Sequence, residues 1–347
     1  IPDSVTYIGA SAFENCFNLK AVQIPKSMRE IRNLTFYNCT TLQAINLEGV
    51  TTIGEMAFSG CPLYESQFED EQETVQWVLD NGILKGIGKE QTEEFHLDTV
   101  LGSGSYGEAC LYTCAKTKRR VVLKSISKSK ITKTLNSFDR EVAAMKKVAH
   151  PNIVRYFGSL EDADHAYIVI EFADGGNLEE CLAKNQELDT EAIAHIFWQL
   201  LCAVNALHLR NVVHKDIKPE NIYFNSRRDV KLGDFGIAKI LECDNAYGNT
   251  MAYTTNYAPP ELFSQSNAYD TKFDIWSIGV VLYQVCHRKL PFKNPEELMS
   301  GHLPQISRSI DKRLGKMIAK MLTVNPRRRP TAKEMVSFMK KNFTGIF

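Results

Sequence analysis

Residues 214–221 read HKDIKPEN. The stretch sets a carboxylate at Asp216, an amine at Lys218 and an amide at Asn221 within six residues. Upstream, AIAHIFWQLLCAVNALHLRNVV (192–213) is a long apolar run that predicts a helix leading into the loop. Downstream, VKLGDFGIAKIL (230–241) adds a second carboxylate, Asp234. Asp216, Asn221 and Asp234 are oxygen ligands suited to magnesium or to a substrate hydroxyl. Each taken singly is also an ordinary turn residue, so the weight rests on what accompanies them.

Toward the N-terminus, FHLDTVLGSGSYGEACLYTC (95–114) sets Gly102, Gly104 and Gly107 between two strand-like runs. Glycine permits close backbone approach, so such a loop suits phosphates, although a lone GxGxxG is weak evidence. Strand–loop–helix would suggest a dinucleotide site; the reading here is strand–loop–strand. RVVLKSI (120–126) is a strand ending near Lys124, and SFDREVAAMKKV (137–148) is an amphipathic helix with Val142, Met145 and Val148 on one face. Glu141 in that helix is either the partner of Lys124 or a solvated surface charge. HPNIVRYFGSLED (150–162) and AYIVIEF (166–172) predict two further strands, and EFADGGNL (171–178) turns away as a hinge would.

In this order and spacing, the glycine loop, Lys124, Glu141, HKDIKPEN and DFG resemble the eukaryotic protein kinase catalytic domain, over about residues 94–343. Three later stretches agree: APPEL (258–262), DIWSIGVVLY (274–283) and NPRRRPT (325–331). GDFGIAKIL and HPNIVRYFGSLED look most like the NIMA-related group, although the segment MAYTTNYAPPE departs from its usual pattern. The resemblance implies an α+β, bilobal fold with a small β-rich lobe and a large helical lobe. It implies transfer of the ATP γ-phosphate to Ser/Thr of protein substrates, with Mg2+. Lys124 would hold the α and β phosphates and pair with Glu141. Asp216 would accept or orient the hydroxyl proton, Lys218 would neutralise the γ-phosphate, and Asn221 and Asp234 would hold magnesium. Asp274 would brace the catalytic loop and Arg329 would pair with Glu261. The ATP site would be lined by Leu101, Gly102, Gly104, Gly107, Ala109, Val122, Lys124, Ile170, Glu171, Ala173 and Tyr223. Lys218 and Thr254 fit the serine/threonine-specific pattern, and Thr250, Tyr253, Thr254 and Thr255 mark the activation segment, with Thr250 best placed for a phosphate.

The sequence departs from the kinase pattern in places. Ala109 and Val122 exchange the usual sizes above the adenine, a volume-conserving swap. Tyr223 stands where leucine is common below it. Residues between LPFKNPEEL and MSGHLP are fewer than usual, which shortens a large-lobe helix.

The first residues repeat. Ile1, Ile24 and Leu47 correspond, as do Ile8, Ile31 and Ile53, Phe13, Phe36 and Phe58, and Cys16, Cys39 and Cys61, with a period of 23 and then about 22. This is a solenoid signature, and IPDSVTYIGASAFENCFNL (1–19) resembles BspA-like leucine-rich repeats over residues 1–63. The cysteines read as small apolar filler between coils rather than a metal ladder, and a protein partner on the repeat segment is expected. Fewer than three full coils are visible, so more repeats upstream, or a remnant, is expected. Residues 64–93, acidic at ESQFEDEQE and glycine-broken at NGILKGIGKE, read as a linker with a short helix at TVQWVLD.

The chain has 347 residues, 44% of them hydrophobic, with 41 Lys plus Arg against 41 Asp plus Glu. That balance supports neither a nucleic-acid nor a membrane-surface role, and no apolar run reads as a membrane span. Nine cysteines without a CxxC pair argue against a zinc cage or disulfide framework. A reducing compartment is expected, cytoplasmic or cytoskeleton-associated.

The rival to an enzyme is a pseudokinase scaffold; the presence of Lys124, Asp216 and Asp234 favours catalysis. Lys215 stands where the family has arginine. By resemblance that position faces the activation segment, where arginine grips a phosphate with a planar fork and lysine offers only a point charge. Turnover measured before and after phosphatase treatment should therefore show Lys215→Ala largely intact and Lys215→Arg more dependent on a segment phosphate. Abolished basal turnover in Lys215→Ala would assign the residue to the chemistry instead.

Overall fold

In a computed structural model of the chain, the described residues are 1–61 (except 26, 33, 38, 40, 43, 47–49, 51, 54–56, 59 and 60), 95–103, 107–114, 120–128, 137–161, 163–184, 187–241, 255–263, 271–300 and 305–344. The linker reading at 64–93, with its short helix, lies outside them, as do Gly104, Thr250, Tyr253, Thr254 and the side chain of Thr255.

The sequence period becomes a strand register. Strand β1 (Ala21–Gln23) and, one repeat later, β3 (Ala44–Asn46) pair in parallel with Ala21 opposite Ala44. Likewise β2 (Glu30–Ile31) pairs with β4 (Thr52–Ile53), Glu30 opposite Thr52. The offsets are the 23 and 22 residues of the repeat. Phe13, Phe36 and Phe58 stack with centroids 5.1 and 5.4 Å apart and planes within 4°. The thiols of Cys39 and Cys61 donate to the carbonyls of Phe13 and Phe36, at 3.0 and 2.9 Å, one coil back. The cysteines thus act as apolar filler that also satisfies a carbonyl, consistent with a short solenoid.

The second part begins with a five-stranded antiparallel sheet. Its strands are β5 (Phe95–Ser103), β6 (Gly107–Cys114), β7 (Arg120–Ser127), β8 (Tyr156–Glu161) and β9 (His165–Glu171), in the order β5-β6-β7-β9-β8. Helix α1 (Ser137–Lys147) follows β7 and buries Val142 and Met145, with Val148 just beyond it. The remainder is mainly helical. Helix α2 is Leu178–Ala183, and α3, Thr190–His208, is capped by Asp189 accepting from the Ala192 amide at 2.7 Å. Short strands β10 (Val212–Val213), β11 (Ile222–Phe224), β12 (Val230–Leu232) and β13 (Lys239–Ile240) frame the loop at 214–221. Helices α4 (Lys272–His287), α5 (Pro295–Met299), α6 (Lys312–Met321) and α7 (Ala332–Asn342) complete the lobe. This is the α+β, two-lobed arrangement implied by the resemblance, and α5 is short, as the missing residues predict.

Among the described residues one helix, α3, is long and apolar enough to cross a membrane, contrary to the reading of the sequence that no run was suited to it. Tertiary packing explains the composition: apart from His195, α3 is buried from Ile193 to Leu207, and it packs against α4, α7, β10 and β12. A helix apolar all round is what the centre of a lobe requires.

Two long-range features lock the large lobe. Arg329, 1% exposed, makes a bidentate pair with Glu261 at 2.7 and 2.9 Å and donates to the carbonyls of Lys272 and Thr323. Its guanidinium lies 4.9 Å from the centroid of the Trp276 ring. Helices α4 and α6 cross closely at Gly279, where an added Cβ would stand 2.9 Å from Met321 Cβ. Neither backbone can yield cheaply, so Gly279→Ala should destabilise the chain by about 1–3 kcal/mol, read as a lowered urea midpoint. An unchanged midpoint would show that the crossing has slack.

Candidate active site

The loop 214–221 runs from β10, which pairs with β13, to β11, which pairs with β12. Its anchor is Asp274 at the start of α4, fully buried. That carboxylate accepts the backbone N–H groups of His214 and Lys215, both at 2.9 Å, and binds His208 Nε2 at 2.8 Å. Burial acts to raise its pKa, but these donors and the two histidines hold it below the usual carboxylate value. Lys215 and Asp234 are both left-handed, with φ of 68° and 61°. Such backbone strain costs a non-glycine residue and persists only where its surroundings over-determine it.

The same network orients the reactive groups. His214 Nε2 meets the Gly233 carbonyl at 3.0 Å while the Asp216 amide reaches Nδ1 at 3.3 Å, which assigns the proton to Nε2. The ring packs edge-on against Phe235, fully buried, at 4.8 Å. Lys218 Nζ lies 2.7 Å from Asp216 Oδ2, and Asn221 Nδ2 donates at 2.9 Å to both Oδ2 and the backbone carbonyl of Asp216. The structure therefore brings Asp216, Lys218 and Asn221 together, as expected.

Across the cleft, Lys124 on β7 meets Glu141 on α1 at 2.7 Å and Asp234 at 3.0 Å. Glu141 is 5% exposed, so the surface-charge reading falls. Burial acts to lower the pKa of Lys124, but the two carboxylates outweigh it and keep the amine charged. Burial would raise Asp234; Lys124 holds it below its usual value. Burial pushes the Glu141 carboxyl up against the pull of Lys124.

Strand register brings the residues expected above the adenine onto one surface. Ala109 faces Lys124, Leu111 faces Val122, and Val122 and Lys124 face Ile170 and Ile168. Directly opposed residues share a sheet face, so Ala109, Val122, Lys124 and Ile170 form one surface. Gly102 lies beside Ala109, and an added Cβ there meets nothing within 4 Å. Leu101 is exposed, and Gly107 pairs with Ile126. Ala173 follows β9 where the chain leaves the sheet. Beyond it, a Cβ on Gly175 would lie 2.6 Å from the Asn225 carbonyl oxygen, so the connection is pressed directly onto the large lobe. The Glu171 carboxylate pairs with Lys231 at 2.8 Å and accepts the Arg155 amide at 3.0 Å. Any binding role for Glu171 thus falls to its backbone.

Sequence reading missed His208 and Lys231. They lie 66 and 60 residues from their partners, with no local pattern to mark them.

The residues fit a hard divalent cation. Asn221 spends its N–H donors on Asp216, which makes its oxygen the ligand it offers, and Asp234 supplies a carboxylate. No cluster of three or more His, Cys, Asp or Glu suited to a metal occurs among the described residues. A two-residue set suits an ion that takes its other ligands from phosphates and water.

Tyr223 is the residue that the resemblance sets below the adenine. A Cβ on Gly233 would stand 3.0 Å from its ring, so the ring lies directly on that glycine. Tyr223→Leu should open that side and lower the Michaelis constant for ATP several-fold; an unchanged constant would show that the ring does not narrow the pocket.

Comparison with known proteins agrees with this geometry. The protein kinase domain model matches residues 95–339, and the model described as BspA type Leucine rich repeat region (6 copies) matches residues 1–77. The serine/threonine-protein kinase Nek5 of Mus musculus is 32% identical over 260 residues, covering 72% of this chain and 40% of the relative. Nek2 of Homo sapiens is 31% identical over 269 residues, covering 71% and 59%. Ppk16 of Schizosaccharomyces pombe is 30% identical over 256 residues, covering 72% and 38%. The chain thus spans between 38% and 59% of the length of these curated relatives. The two Nek relatives bear out the likeness to the NIMA-related group. With its family match over 95–339 and its lysine, glutamate and aspartates drawn into one cleft, the chain belongs to the protein kinase family.

Proposed function

We propose that the chain is an ATP-dependent serine/threonine protein kinase. The carrying observation is that Lys124, Glu141 and Asp234 form one ion cluster while Asp216, Lys218 and Asn221 form a second in the same cleft. In this reading a substrate hydroxyl attacks the γ-phosphorus as the bond to the bridging oxygen of ADP breaks. Asp216 takes the hydroxyl proton, and Lys218 offsets charge on the moving phosphoryl group. Lys124, fixed by Glu141, holds the α and β phosphates. Asn221 and Asp234 would hold Mg2+, which neutralises phosphate charge when bound. Positioning and electrostatics carry most of such a rate.

In the same reading residues 1–63 are a repeat segment for protein interaction, 64–93 a linker and 94–343 the catalytic domain. The site of action is cytoplasmic or cytoskeletal, in keeping with the lack of any disulfide among Cys16, Cys39, Cys61, Cys110, Cys181, Cys202 and Cys286.

The test is phosphate transfer from ATP to a generic basic protein. Asp216→Asn should lose at least about a hundredfold in turnover, the low end for a general base. Equal signal from both proteins would defeat the enzyme reading and favour the scaffold.

A further inference from the structure

The repeats and the kinase domain touch, and the repeat period explains how. Ser11 and Leu34 are equivalent positions in successive coils, as are Glu14 and Tyr37, each pair 23 residues apart. Ser11 and Leu34 share a left-handed φ of 58°. Four residues therefore lie along one edge of the coil stack, and all four reach the kinase domain.

The upper coil uses charge. Glu14 forms an ion pair with Lys340 of α7, and Lys340 Nζ also lies 3.5 Å from Ser11 Oγ. The same ammonium sits 5.9 Å from the centroid of the Trp198 ring of α3. The next coil uses apolar surface. Leu34 and Tyr37, 7% and 4% exposed, join the continuous core built around α3. The Tyr37 hydroxyl is hydrogen-bonded by Asn205 of α3. Its ring stands edge-on to His150, with centroids 6.3 Å apart and planes at 88°.

His150 ties this contact to the cleft. It lies in the turn that follows α1, the helix carrying Glu141. Within that turn, Asn152 donates to Gln199 of α3 at 2.7 Å and to the Val230 carbonyl at 3.0 Å. His150 Nε2 and Asn152 Oδ1 are buried without a hydrogen-bond partner. Burial also drives the imidazole pKa down to about 3, so the ring is neutral. Tyr37 thus helps cover a desolvated polar turn that water would otherwise reach.

We propose that the partner of the repeat edge formed by Ser11, Glu14, Leu34 and Tyr37 is the kinase domain of the same chain. The edge docks on α3, α7 and the turn after α1, and so restrains the helix that carries Glu141. It extends the protein-interaction reading of the repeats but does not depend on phosphate transfer, and its test does not measure catalysis.

Hydrogen–deuterium exchange on the full chain tests it. Tyr37→Ala should speed exchange at residues 148–153 by about tenfold or more, a local opening penalty of the size expected for one lost anchor. Exchange at 44–46 should stay as in the wild type, showing that the coils remain folded. Glu14→Lys should speed exchange near the end of α7, and Glu14→Lys with Lys340→Glu should restore it. Should Tyr37→Ala melt the coils, the charge exchange decides. Unchanged exchange at 148–153 with intact coils, or no restoration by the double variant, would overturn the proposal. Protection that fades on dilution would also overturn it, by assigning the docked edge to a second copy.

Discussion

The cluster of Lys124, Glu141 and Asp234 is the constraint on which the site depends. Its members come from a strand, a helix and a loop of the other lobe, with Lys124 and Asp234 110 residues apart. Glu141 is buried and Lys124 half-buried; losing one partner of a fully buried pair typically costs about 3–5 kcal/mol, and the water left to Lys124 lowers that figure here. The sheet, α1 and the Asp234 loop are therefore not free to choose their spacing independently. Strand register joins Lys124 to the sheet surface of Ala109, Val122 and Ile170.

The large lobe repeats the same device at two more points. Asp274 holds the catalytic loop through backbone N–H groups, and Arg329 holds the segment ending at Glu261. Both are buried charges whose partners are hydrogen-bond donors or acceptors placed by distant elements. Irregular backbone needs this, because it has no ladder of its own to satisfy its polar groups. Left-handed Lys215 sits where the Asp274 anchor acts, and left-handed Asp234 is held by Lys124. Lys215 accordingly has its backbone fixed by Asp274 and its residue buried, whatever its side chain contributes to control.

The repeats obey a different logic. Their coils are held by near-identical contacts one period apart, seen in the Phe13–Phe36–Phe58 stack and the thiol–carbonyl bonds. Periodicity also repeats whatever faces outward. The edge that carries Glu14 in one coil carries Tyr37 in the next, so a charged contact and an apolar contact reach neighbouring parts of one surface. The restraint on the turn at His150 then passes directly to α1, because the two are contiguous in the chain.

Much of this was legible in one dimension. The spacing of HKDIKPEN and DFG named Asp216, Lys218, Asn221 and Asp234, and the 23-residue period named the coil register, since both are relations between near neighbours or regular copies. Lys124 with Glu141 was one of two open readings until the resemblance favoured it, and Arg329 with Glu261 was reachable only through resemblance. What tertiary structure alone decided were relations between residues far apart and unpatterned. Glu141 could have been a surface charge; burial made it an anchor. Glu171 was placed in the pocket by resemblance; that its carboxylate pairs with Lys231, which leaves its backbone for such a role, was not legible. His208 had no motif until Asp274 met it, and α3 had the composition of a membrane span until neighbouring helices and strands covered it. A sequence encodes which groups are available and how they recur. Which of them lose water to one another is set only when the chain closes on itself, and that desolvation decides whether a charge or a ring is surface, anchor or reagent.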